Sequence, residues 1–109
     1  MKSTHLIAAA AAAFALSLPA IAAPDADGAN KFAKDNGCTK CHSVDKTKKG
    51  PSFQKTSAKY KGKADAEATL TKFLTTGPKV KMDDGTEEEH KSVKAGPELK
   101  NMIQFILAQ

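Results

Sequence analysis

The apolar positions of this chain form one continuous block and four groups spaced as on helices. The block runs from Leu6 to Leu18 behind Met1-Lys2-Ser3-Thr4-His5 and is followed by Pro19-Ala20-Ile21-Ala22. A short basic start, an apolar centre and a small-residue end predict a secretory leader over residues 1–22, cut after Ala22. The apolar run is too short and too rich in Ala for a stable membrane span, so no membrane insertion is expected once the leader is gone. Beyond it, Ala29, Phe32 and Ala33 share one face of a helix that Asp27 can cap and Gly37 can end. Gly50-Pro51-Ser52 opens a second helix through Phe53 and Tyr60, stopped at Gly62. Asp65 caps a third, whose stripe of Ala66, Leu70, Phe73 and Leu74 ends at Gly77-Pro78. Gly96-Pro97 starts a fourth, which carries Leu99, Met102, Ile103, Phe105, Ile106 and Leu107. No alternation of apolar and polar residues is long enough for a sheet, so the pattern predicts a single all-α domain of four short helices over residues 23–109. Between the third and fourth helices, Asp84-Gly85 can turn Lys79–Met82 back onto Thr86–His90.

Setting the leader aside changes what the composition means. The chain of 109 residues is 40% apolar, but 16 of its apolar residues lie in the first 22. Of the 87 that remain, 28 are apolar and ten of those are Ala, which leaves 18 larger apolar side chains. So small a domain gains little from its own core, and scaffolds of this size are completed by disulfides, metals or cofactors. The composition therefore calls for a large apolar group at the centre.

Cys38-Thr39-Lys40-Cys41-His42 supplies the means to hold one. In an exported protein C-x-x-C-H reads as covalent attachment of a single haem c: two thiols reach the two vinyl groups on one porphyrin edge, and the adjacent imidazole reaches the iron from the same side. A thioredoxin-like pair would follow a strand, whereas Asn30 to Gly37 has a helical pattern. A zinc site would need two further ligands at paired spacing, which His5, His90 and the carboxylates do not offer. A Cys38–Cys41 disulfide would leave the core problem unsolved.

The order helix, C-x-x-C-H, Gly-Pro, short helices and apolar C-terminal helix resembles the class I c-type cytochromes, above all the small bacterial monohaem members. The residues that carry the likeness are Gly37-Cys38-Thr39-Lys40-Cys41-His42, then Gly50-Pro51-Ser52-Phe53, then Ala58-Lys59-Tyr60-Lys61-Gly62. The resemblance implies that the four helices wrap one covalent haem, with the first and last crossing through Phe32 against Met102, Phe105 and Ile106. It implies that the Pro51 carbonyl accepts a hydrogen bond from the distal nitrogen of His42, fixing the tautomer that faces iron. It also implies a sixth ligand after the third helix. Met82 is the Met of that interval, 40 residues after His42, and its thioether would favour ferrous iron. The Pro that usually follows the family's ligand is missing from Lys79-Val80-Lys81-Met82-Asp83-Asp84-Gly85. His90 is the rival: it lies 15 residues before Phe105, close to the family's interval, where Met82 lies 23 before it. A bis-His iron would have a substantially lower potential.

Charge bears on the partner. Residues 23–109 hold 16 Lys and no Arg against 12 acids, a formal +4. Lys40, Lys46, Lys48, Lys49, Lys55, Lys59, Lys61 and Lys63 concentrate on the attachment side of the chain, while Asp83 to Glu89 carries five acids. A basic rim around an exposed haem edge would steer an acidic redox protein. Nucleic acid is not an expected partner, because Arg and interleaved stacking aromatics are absent. The expected protein is a periplasmic, soluble, monomeric carrier that moves single electrons between larger redox proteins and catalyses no substrate chemistry. The alternative is a haem-based sensor or small peroxidase with a displaceable sixth ligand.

Overall fold

A computed structural model describes residues 23–109 together with Ala10, Ala12 and Ala13; the expected leader lies outside the described residues but for those three alanines. Among the described residues there are four helices, α1 (Ala26–Asp35), α2 (Phe53–Tyr60), α3 (Ala66–Thr76) and α4 (Pro97–Leu107), with a 3-10 turn at Cys38–Lys40. No helix among the described residues is long and apolar enough to cross a membrane.

The cap of α1 is Asp25, not the expected Asp27. Asp25 Oδ1 accepts from the Gly28 N–H at 3.1 Å, while Asp27 lies within the first turn, where its charge faces the positive end of the helix dipole. A tertiary contact selects Asp25. Its backbone N–H donates to Asn101 Oδ1 at 2.8 Å, and Asn101 Nδ2 donates back to the Asp25 carbonyl at 2.8 Å, which ties the start of α1 to α4. Asn101→Ala removes both bonds and is expected to cost about 1–2 kcal/mol. For a domain of this size that lowers the midpoint of thermal unfolding by roughly 4–15 °C, read by circular dichroism.

The core has two parts, and α4 runs through both. Ala29 and Ala33 of α1 pack against Phe53, Met102, Phe105 and Ile106, with Phe32, Cys38 and Val44 at the edge. Two alanines in contact with α4 let the helices approach closely, so the crossing expected at Phe32 is made mainly by its small neighbours. Leu70 of α3 packs against Leu99 and Ile103, flanked by Phe32, Tyr60, Leu74, Val93 and Leu107. Phe32, half-buried, touches both parts and joins them. Ser57 Oγ donates to the Leu107 carbonyl at 2.8 Å and locks α2 to the end of α4.

A short antiparallel hairpin stands between α3 and α4, where the Asp84-Gly85 turn led to the expectation of a fold-back. Strands β1 (Lys79–Lys81) and β2 (Glu87–Glu89) pair Lys79 with Glu89, Val80 with Glu88 and Lys81 with Glu87. Two lysines thus stand opposite two glutamates, a favourable cross-strand arrangement. Gly85 takes a positive φ of 86° in the connection, and Met82 N–H donates to the Thr86 carbonyl at 2.7 Å.

The carboxylate of Asp84 accepts from Thr86 Oγ1 at 2.6 Å and from Thr86 N–H at 2.9 Å, and the hydroxyl and then the amide hold it below its ordinary value of 3.8. A carboxyl depressed on folding contributes stability above its ordinary value and loses it as pH falls through the folded one. The turn is therefore expected to loosen as pH drops below 3.8. Weaker protection of the Thr86 amide in acid, measured by NMR hydrogen exchange relative to the intrinsic rate at each pH, would show it, and equally weak protection in Asp84→Asn at neutral pH would show that the carboxylate is the cause.

Candidate functional site

The attachment motif begins where α1 stops. Asn36 caps the helix, Gly37 turns the chain at φ 71°, and the 3-10 turn Cys38–Lys40 presents both thiols. The His42 N–H donates to the Cys38 carbonyl at 2.9 Å, so the imidazole leaves the turn directly behind the two cysteines. Both cysteines are free thiols and partly buried. Burial pushes the Cys38 thiol above its ordinary value, with Lys91 opposing the shift, and the thiol rests protonated.

The loop after His42 folds back to hold its ring. Gly50 N–H donates to the Cys41 carbonyl at 2.8 Å, Phe53 N–H to the Ser43 carbonyl at 2.9 Å and Gln54 N–H to the Val44 carbonyl at 3.0 Å. Gly50 and Pro51 are thereby laid against the imidazole. The Pro51 carbonyl faces His42 Nδ1 at 2.6 Å; since a carbonyl can only accept, Nδ1 carries the proton and Nε2 is left with its lone pair. A Cβ on Gly50 would stand 2.9 Å from Nδ1 and 3.0 Å from Nε2, a space that only glycine leaves open. Phe53 stacks on the same ring, centroids 5.7 Å apart, and meets Phe105 of α4 edge-on at 6.5 Å.

A second imidazole stands opposite. His90, the residue after β2, has its ring centroid 6.1 Å from that of His42, the planes tilted by 44°. Its backbone N–H donates to the Pro78 carbonyl at 2.9 Å, and Val93 N–H to the Leu74 carbonyl at 2.8 Å, so the end of α3 carries this segment. Gly77 caps α3 at φ 57°, and a Cβ there would come within 2.5 Å of the His90 carbonyl oxygen and 3.2 Å of the Ser92 nitrogen. Nδ1 of His90 donates to the Lys91 carbonyl at 2.9 Å, which again leaves Nε2 free. His90 is partly buried, not the solvated side chain its charged neighbours suggest.

Met82 is placed differently. It borders the hairpin turn, half-buried, and belongs to neither part of the apolar core. The structure thus brings Cys38, Cys41, His42, Pro51 and His90 to one cleft, with Phe53 and Phe73 as aromatic walls on the two imidazoles. Both walls escaped sequence reasoning, where Phe53 and Phe73 look like ordinary helix-face apolar residues. The Gly50-Pro51 pair, one residue short of Phe53, was the available signal for the first.

The charges separate by kind. Lys79 and Lys81 stand opposite Glu89 and Glu87 in the hairpin register, and Lys49 Nζ meets Glu88 Oε2 at 2.8 Å, so lysines flank the acidic run. On the other flank Lys48 Nζ donates to the Thr39 carbonyl, and both the Lys91 ammonium and the Lys40 chain lie next to Gly37, 3.7 and 3.9 Å from where its Cβ would be. Ammonium groups therefore gather at the turn that carries the thiols.

The cytochrome c family profile matches residues 26–108. Cytochrome c-551 of Pseudomonas denitrificans is 44% identical over 46 residues, 42% of this chain and 56% of that relative. Cytochrome c-551 of Azotobacter vinelandii is 43% identical over 44 residues, 40% of this chain and 54% of that relative. The chain thus spans little more than half the length of these curated relatives. Among solved structures, the class 1 cytochrome MtoD from Sideroxydans lithotrophicus ES-1 is similar at a TM-score of 0.76 and 52% identity, over 79% of this chain and 97% of that one. Cytochrome c552 of Nitrosomonas europaea is similar at a TM-score of 0.60 and 26% identity, over 72% of this chain and 95% of that one.

Proposed function

The chain belongs to the cytochrome c family, whose members bind haem c and its iron, and from that premise we propose that it is a periplasmic one-electron carrier in which His42 and His90 would hold the iron. When bound, the haem supplies a one-electron couple. Cys38 and Cys41 would hold it through thioether bonds formed by their thiols, and the backbone carbonyls that fix the two imidazoles would keep both rings in place.

The observation that carries the ligand assignment is the pair of facing imidazoles. With metal–nitrogen bonds of about 2 Å and ring centres about 1 Å behind the ligating nitrogens, two imidazoles on one metal have centroids roughly 6 Å apart; His42 and His90 stand at 6.1 Å. Each has its Nδ1 proton on a backbone carbonyl and its Nε2 free, the state a metal requires. On this reading His90, the alternative to Met82 in the sequence, is the sixth ligand. Because both rings are held by backbone carbonyls and backed by phenylalanines, little moves when an electron arrives, which suits outer-sphere transfer.

The partner is a redox protein with an acidic surface, drawn to Lys40, Lys48 and Lys91 around the thiol turn. Export rests on the leader read over residues 1–22.

A redox titration of the purified protein, together with addition of carbon monoxide to its reduced form, tests this reading. A reversible one-electron curve with no carbon monoxide complex supports an electron carrier. Rapid formation of the complex would overturn it in favour of a sensor or small peroxidase with a displaceable ligand.

A further inference from the structure

We infer that Phe73 is a positioning residue that sets the plane of the His90 imidazole, and through it the electronic state of the iron; this rests on His90 being the sixth ligand. Phe73 lies in the last turns of α3, four residues before Gly77 and so on the same helix face. Its ring meets that of His90 at a centroid distance of 4.9 Å and an interplanar angle of 62°, an edge-to-face contact.

The other restraints on His90 do different work. The bond from its N–H to the Pro78 carbonyl and the close approach at Gly77 fix where the residue enters the cleft. The bond from Nδ1 to the Lys91 carbonyl fixes which nitrogen is free, but that acceptor belongs to the next residue along the same extended segment. Rotation of the ring is left to its neighbours, and among the described residues the aromatic rings beside it are those of His42 and Phe73. His42 approaches from across the cleft. Phe73 is carried by a helix packed on the Leu99–Ile103 part of the core, so it is the rigid reference. The 44° tilt between the two imidazoles then follows from where α3 places Phe73.

That angle has a spectroscopic readout. In low-spin ferric iron with two imidazole ligands, the angle between their planes governs the splitting of the d orbitals and hence the largest g value. The experiment compares electron paramagnetic resonance spectra of oxidised wild type, Phe73→Leu, Phe73→Tyr and His90→Ala holoproteins, with carbon monoxide binding to each reduced form. Phe73→Leu is expected to stay low-spin with a shifted, broadened largest g feature and to bind carbon monoxide about twofold to tenfold faster, the range one aromatic pair supports. Phe73→Tyr, which keeps the ring, is expected to restore the wild-type spectrum.

An unshifted g feature in Phe73→Leu would overturn the positioning role while leaving the His42/His90 pair standing. An unchanged low-spin spectrum in His90→Ala would overturn the ligand pair itself. If Phe73→Leu does not accumulate, reduced wild type decides: a nuclear Overhauser effect between the Phe73 and His90 rings is expected, and its absence would overturn the inference.

Discussion

His90→Ala is expected to convert the oxidised protein completely from low-spin to high-spin and to open the reduced iron to carbon monoxide, while Met82→Ala changes neither. The two residues differ in what holds them. His90 is pinned by the Pro78 carbonyl, its Nδ1 is satisfied by Lys91, and its ring centroid lies 6.1 Å from that of His42. Met82 follows β1, where its backbone bonds to Thr86 and Gly85 fold the hairpin turn. The optical counterpart is a far-red spectrum without the weak sulfur-to-iron charge-transfer band in wild type. Its presence there, lost in Met82→Ala, would return the sixth position to the thioether and raise the expected potential.

Gly50→Ala should be nearly as damaging although Gly50 itself offers no ligand atom. The added methyl would lie 2.9 Å from His42 Nδ1, so either the ring gives up the 2.6 Å bond to Pro51 or the loop moves off the ring. Overpacking costs about 1–3 kcal/mol, and loss of a partner that orients a metal-ligating His lowers metal affinity by about 10–100-fold. Denaturant unfolding of the holoprotein, with the reduction potential measured alongside, separates the two costs. Gly62→Ala is the control: its φ of 76° brings backbone strain of about 1–2 kcal/mol, but nothing lies within 4 Å of the new methyl and the spectrum stays that of wild type. Equal potentials in all three proteins would show that Gly50 matters only for folding.

What could be read from the sequence follows the range over which each signal acts. The four helices were legible because Ser52, Gly77, Gly96 and Pro97 mark their ends locally, and the cofactor because C-x-x-C-H is complete within five residues. The cap of α1 was not: Asp25 and Asp27 are equivalent by local rules, and Asn101, 76 residues away, decides between them. The strands escaped the search for alternation because both faces of β2 are exposed glutamate, and only the Asp84-Gly85 turn announced them. The sixth ligand was legible only as a choice between Met82 and His90. Spacing from His42 pointed to one and spacing from Phe105 to the other. What lets His90 come forward is the absence of a side chain at Gly77, a close approach between the end of α3 and the segment beyond the hairpin that no linear interval expresses.

The place of α4 in the core also sets the timing of events in the life of the chain. Leu99, Met102, Ile103, Phe105 and Ile106 form the centre of both apolar clusters, and α4 is the last element in chain order. Until it has been made, α1, α2 and α3 have nothing to close upon, so the polypeptide remains open from its first helix onward. Through that interval Cys38 and Cys41 are reachable from every side, and covalent capture of a rigid macrocycle can precede the moment when the helices shut around it.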